Sequence, residues 1–295
     1  MSATHPRRIL LEDGRLLAFD EWGDRCGTPV FSFHGGISSR LDAAPLDAAC
    51  RERGVRLIAP DRPGTGYSDP SPGRTLLDWP RDVAELADAL GLERFGVMGW
   101  SLGGQYAAAC AYALPTRVTR AALLAGVVPF EVEPGRAGLA WFDRWLLTLC
   151  RWAPPLAGLG LRIGVSLPPL AGMQRIIACD GSDADREALR RDPSPTWAAE
   201  SIKQSVRAGT GGVIRDYRVW REPWGFDLGR VGVEVGVWQG DDDGFVPVTD
   251  AEALAERIPG ARLVVCPGEG HISLQRNHGA EAAEWLAAPL RAARV

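Results

Sequence analysis

Lysine is almost missing from this 295-residue chain: Lys203 is the single one, and arginine carries the rest of the 33 basic charges. The net charge is −4, and the arginines are scattered among carboxylates, so no basic face exists to neutralise a run of phosphates. Nucleic acid is therefore not an expected partner. The six cysteines show no C-x-x-C spacing and none neighbours a histidine, which removes the usual basis for a zinc site or a cysteine nucleophile. They are expected as reduced, packed thiols. There is no long apolar run either. The most apolar stretch, LAWFDRWLLTLCRWAPPLAGLGLRIGV, is broken by Asp143, Arg144, Arg151 and two prolines, so no membrane association is expected. The opening MSATHPRRILLEDG reaches an acidic turn before any apolar core of a signal peptide can form, which makes the cytoplasm the expected location.

What is present is an ordinary globular composition, 46% hydrophobic and 24% charged, in a chain long enough for one large α/β domain with a subsidiary insertion. Short apolar runs alternate with helical patterns, the signature of a mainly parallel sheet. PVFSFHGG, VRLIAPD, RFGVMGW, RAALLAGV, VEVGVWQG and ARLVVCPG read as strands, and LLEDGRLLAFDEWG as part of an antiparallel hairpin turning at Asp-Gly. Helices are expected near 41–53, 80–90, 102–114, 249–257 and 279–293. Between Val127 and Asp227 the alternation stops: that stretch holds Trp141, Trp145, Trp152, Trp197, Trp220 and Trp224 but no clear strand. It reads as a helical insertion over the carboxyl edge of the sheet.

GWSLGG, residues 99 to 104, places Ser101 between an expected strand and an expected helix, with Gly99 and Gly103 two positions to either side. A sharp strand-to-helix turn needs small residues at those positions and aims the hydroxyl outward. It also sets the amide of Leu102 at a helix start, where unpaired N–H groups favour a developing negative oxygen. A serine nucleophile requires a base, and only four histidines exist. His5 lies in the terminal segment, His278 at the expected start of the last helix, and His34 in FHGG. His271, in a Gly-rich loop after the last strand, is the candidate base. GDDDGFVP supplies three aspartates, 241 to 243, any of which could orient the imidazole.

These motifs resemble those of α/β-hydrolase fold enzymes, in the lidded branch of small esterases, lactonases and aminopeptidases. The resemblance covers about residues 14–126 and 228–293 in the order Ser, Asp, His, and rests on FHGG, DRPGTGYSD, GWSLGG and GEGH, with GDDDGFVP besides. It implies a mainly parallel eight-stranded sheet flanked by helices, with a helical lid inserted after the sixth strand. The core would be 1–126 and 228–295, and the lid 127–227. It maps the acid onto Asp243, gives the second oxyanion amide to Gly36, makes His34 a loop brace, and assigns Asp61 and Arg62 to bracing the site.

The expected activity is acyl transfer from a small-molecule carboxylic ester to water through Ser101, His271 and Asp243, with no metal or organic cofactor. Gly35, Trp100 and Phe245 are expected to touch substrate, and the tryptophans suggest an apolar or aromatic pocket. Ser at the elbow disfavours haloalkane dehalogenase and epoxide hydrolase, which resemble this pattern but carry Asp there. C–C bond hydrolase, proline-iminopeptidase-like and perhydrolase activities stay open; Glu131, Glu133, Glu200 or Glu222 could hold an ammonium for the second. A catalytically silent ligand-binding protein is the reading from a different class. The molecule is expected as a monomer or homodimer.

Overall fold

The computed structural model describes residues 6–130, 132, 139–166, 181–191 and 196–289. Strands β1 (Arg7–Leu10) and β2 (Leu16–Gly23) form the expected hairpin, Arg7 opposite Phe19. β3 (Thr28–Phe33), β4 (Val55–Pro60), β5 (Phe95–Trp100), β6 (Val118–Leu124), β7 (Glu234–Gly240) and β8 (Arg262–Cys266) follow in sequence. The sheet order is β1-β2-β4-β3-β5-β6-β7-β8, with β2 antiparallel to both neighbours and every pair from β4 to β8 parallel.

Alternation along the strands fills two cores. Phe31, Phe33, Val97, Leu123 and Val237 point to one face, packed with α2 (Trp79–Ala89), α3 (Gly103–Ala113) and α9 (Val248–Arg257). Val30, Leu57, Met98, Leu124 and Trp238 point to the other, beneath α1 (Asp47–Glu52) and α10 (His271–Ala287). A period of two in a sheet covered on both faces gives nearly continuous apolar strands, as the sequence has. In α2, Trp79, Val83, Leu86 and Ala87 recur at helical spacing on the buried side. Just before that helix the Thr75 amide and hydroxyl both donate to the Asp78 carboxylate.

Five α-helices and one 3-10 turn (Leu228–Arg230) stand between β6 and β7 and no strand does, among the described residues: α4 (Trp141–Trp152), α5 (Pro154–Ser166), α6 (Asp183–Arg191), α7 (Thr196–Ser205) and α8 (Gly211–Arg221). None of the described helices is long and apolar enough to cross a membrane.

Three expectations need correction. The span 41–53 is a 3-10 stretch, Arg40–Leu46, and only then α1, because the Pro45 ring would clash with the carbonyl four residues back in an α-helix. The last helix runs from His271 to Ala287, eight residues earlier at its start than the sequence pattern indicates. Gly279 looks like a boundary but lies inside the helix, where a Cβ would come within 3.0 Å of Leu46. Of the cysteines, Cys50, Cys110, Cys150 and Cys266 are free and buried, whereas Cys26 is free but exposed; Cys179 lies outside the described residues.

Candidate active site

Ser101 occupies the turn between β5 and α3 with a positive φ of 55°. For a residue with a side chain this costs about 1–3 kcal/mol, so the surroundings must hold it. Its amide donates to the Leu124 carbonyl (2.8 Å) and its carbonyl accepts from Gly104 (2.9 Å). The flanking glycines are steric necessities: a Cβ on Gly99 would stand 2.1 Å from the Gly103 carbonyl oxygen, and one on Gly103 would stand 2.2 Å from that of Phe33. The turn thus delivers the hydroxyl to the carboxyl edge of the sheet.

His271 opens α10 at the same edge. Its Nδ1 lies 2.8 Å from Asp243 Oδ2, and the Asp243 side chain is fully buried. That carboxylate also accepts from the amides of Phe245 (2.8 Å) and Val246 (3.0 Å) and from Gln239 Nε2 (3.1 Å), which pins it in place. Burial pushes the imidazole pKa down, but the charge and hydrogen bond of Asp243, with the charges of Asp185 and Asp143, outweigh it and hold the pKa above its ordinary value. The ring lies between Trp100 (centroids 5.2 Å apart) and Phe245 (5.1 Å). Trp100 Nε1 donates to the His271 carbonyl (3.0 Å), so the residue before Ser101 grips the backbone of the histidine. Ser101 and His271 line one cavity, although no hydrogen bond joins the hydroxyl to the ring among the described residues. Such contacts are commonly long before substrate binds.

Asp241 and Asp242, the other two candidates, do not reach the imidazole. Asp241 accepts from the Gly268 amide, and both are exposed. His278 sits in the middle of α10 beside Glu281 and Glu269. His5 lies outside the described residues.

Gly36 and Leu102 line the cavity, and neither amide donates to a protein acceptor among the described residues. Gly35, by contrast, lies beneath the cavity wall. Its amide donates to Asp42 (3.0 Å), its carbonyl accepts from Arg62, and a Cβ there would come within 3.0 Å of the Trp100 ring. It is spent on structure and is not a cavity contact. His34 is buried, with Nδ1–H donating to the Gly35 carbonyl (3.0 Å) and Nε2 accepting from the Arg62 amide (3.2 Å). Burial and the neighbouring Arg62 push its pKa well down, so it is a neutral brace. Asp61 receives the amide and guanidinium of Arg40 and the amide of Tyr67.

The cavity has a volume of about 460 Å³ and mostly apolar walls. Trp141, Trp145, Trp197 and Trp220 join Trp100 and Phe245 around it; Trp152 is exposed and Trp224 is buried elsewhere. Lys203 is exposed at its margin and Asp143, from α4, faces into it, accepting from Tyr217 Oη (2.9 Å). The acids that could hold an ammonium stand otherwise: Glu200 accepts from Gln204, Glu222 pairs with Arg215, and Glu131 and Glu133 lie outside the described residues.

Three residues between β6 and β7 escaped the sequence reading. Tyr217 stands over Gly36, its Oη 3.0 Å from where a Cβ would be. Asp216 is fully buried between Arg62 and Arg74. Asp185 meets the start of α10. Each lies on a helix, and its partner is far away in sequence, so no local motif marks it.

With this geometry in hand, the similarities to known proteins fall into place. Residues 28–159 match the alpha/beta hydrolase fold family. A non-heme chloroperoxidase of Streptomyces lividans is 30% identical over 276 residues, covering 89% of this chain and 92% of that protein. The chain belongs to the α/β-hydrolase fold family. This α/β hydrolase is also 28% identical over 261 residues to a 2-hydroxy-6-oxo-6-phenylhexa-2,4-dienoate hydrolase of Burkholderia cepacia, covering 83% of the chain and 82% of that protein. Among solved structures, an esterase from Exiguobacterium antarcticum superposes with a TM-score of 0.69 at 22% identity, over 95% of this chain and 97% of the other. These three relatives are named as a chloroperoxidase, a hydrolase and an esterase, and this chain is an enzyme of the same fold.

Proposed function

We propose that this α/β hydrolase cleaves carboxylic esters with Ser101 as nucleophile, His271 as base and Asp243 as the carboxylate that orients it. Ser101 Oγ attacks the ester carbonyl carbon while its proton passes to His271 Nε2. The carbonyl oxygen, now an anion, takes the free amides of Gly36 and Leu102, each worth about 3 kcal/mol in the transition state. Collapse expels the alcohol, which leaves with the proton from His271, and water then attacks the acyl-serine by the same route in reverse. The observation that carries this reading is the buried Asp243–His271 pair beside a strained, exposed-edge serine with two unpaired amides in one cavity. The aromatic walls favour an apolar or aromatic acyl or alcohol group, and the helices between β6 and β7 act as its lid.

A second reading, hydrolysis of a C–C bond, is supported by the Burkholderia relative and by the apolar cavity. Purified protein assayed on p-nitrophenyl esters of rising chain length beside 2-hydroxy-6-oxodienoates separates the two. Ester turnover that vanishes in Ser101→Ala, together with fluorophosphonate labelling lost in that variant, is the expected result. Full ester turnover by Ser101→Ala refutes the assignment, and an unlabelled wild type points to a silent binding protein.

A further inference from the structure

The start of α10 has an unusual cap. Gly270, the residue before the helix, has no side chain to accept the first amides, and a helix start leaves such donors unsatisfied. Asp185 of α6, 86 positions away in sequence and fully buried, supplies the acceptor. Its Oδ2 accepts from the His271 amide (3.1 Å), and its Oδ1 accepts from Ile272 (2.7 Å) and Ser273 (3.0 Å). The same carboxylate takes the amide of Ser182 (3.2 Å), and Ser182 Oγ in turn accepts from the Asp185 amide (3.1 Å). The approach is close enough that a Cβ on Gly270 would lie 2.1 Å from Ser182 Oγ and 2.5 Å from Asp185 Oδ2. Glycine at 270 is what lets α6 dock here.

We infer that Asp185 is a positioning residue for His271: the insertion reaches back to the core, fixes the first turn of α10 and places a buried negative charge beside the imidazole. This rests on the proposed role of His271 as base. Two consequences follow from one carboxylate. Three amide bonds to the turn that carries the ring restrict where Nε2 can point, and a misplacement on the order of 1 Å at a reacting group can cost about 100-fold in rate. The charge also favours the imidazolium that forms during attack. The other charged groups facing the ring are Asp243 from the loop after β7 and Asp143 from α4, with Asp42 of the 3-10 stretch and Lys203 of α7 on the same cavity, and all four are left in place by a change at 185.

The test is the pH dependence of kcat/KM for Asp185→Asn and Asp185→Ala beside the wild type and Ser101→Ala. Asp185→Asn removes the charge and keeps one acceptor oxygen, enough for Ile272 and Ser273 but with an NH2 group set against the His271 and Ser182 amides, so its acid limb moves to lower pH with some loss of anchoring. Asp185→Ala loses the anchor as well, and kcat falls on the order of 10- to 100-fold with KM little changed. An acid limb of Asp185→Asn that superimposes on the wild type overturns the inference, whatever happens in the alanine variant, which loses stability too. Ester turnover retained by Ser101→Ala would instead bring down the underlying assignment, so the two failures are distinguishable.

Discussion

Asp216 ties α8 to Arg62 and Arg74 beneath the candidate site. It is fully buried on α8 and receives Arg62 Nε on one oxygen (2.8 Å) and Arg74 and Tyr106 Oη on the other. Arg62 uses its two remaining nitrogens on the carbonyls of His34 and Gly35, the backbone that presents Gly36. Replacing Asp216 with alanine leaves two buried guanidiniums without their counter-charge, and breaking one side of a buried pair costs about 3–5 kcal/mol. With an unfolding entropy of about 2.1 cal/mol/K per residue, 295 residues give about 0.6 kcal/mol/K, so the melting temperature should fall by roughly 5–8 °C. Asp216→Asn keeps an acceptor and should fall less. The two arginines hold the Asp216 pKa down at about 2 against burial, so its contribution is complete above about pH 4 and drains as the pH falls towards 2. The gap between wild type and Asp216→Asn should therefore narrow below pH 4 in calorimetric melts. Melting of Asp216→Ala within about 1 °C of wild type at pH 7 would refute the reasoning.

Three further outcomes are expected. Gly103→Ala drives a methyl into the Phe33 carbonyl and should destabilise by about 1–3 kcal/mol or more in urea unfolding, with ester turnover lost before the fold is. Asp250 is pushed up to about 6 by burial and by the charge of Asp243, so the native state binds its proton more tightly than the unfolded chain and stability drops as pH rises from about 4 to 6. Asp250→Asn should melt higher than wild type at pH 7.5 and equally at pH 4; an equal gain at both would count against this. Because the His271 pKa is raised and the proposed base must be neutral to act, kcat/KM should fall on acidification with a midpoint above about 6.5.

The strand-turn-helix around Ser101 was legible because its constraints are local. A strand, a serine in a strained turn and a helix must be contiguous, so Gly99, Ser101 and Gly103 announce themselves at fixed spacing. The strands were equally plain, since a sheet covered on both faces demands unbroken apolar runs. The start of α10 was not, because its cap comes from Asp185, far away in sequence, and no local signal stands in for a carboxylate on another helix. Gly35 misled for a related reason: adjacency to Gly36 says nothing about which amide Asp42 has already taken. The six tryptophans between β6 and β7 have the same composition signal, yet four face the cavity and two do not, a distinction that depends on helix packing alone.

The solitary lysine has a practical corollary. Reagents that couple through ε-amino groups find one target in the chain, and it stands at the rim of the cavity, so beads or dyes attached that way would obstruct the entrance. Cys26, the exposed thiol among the described cysteines, lies just ahead of β3, at the end of the parallel strands remote from Ser101. Maleimide chemistry there would tether the enzyme with its mouth facing solution.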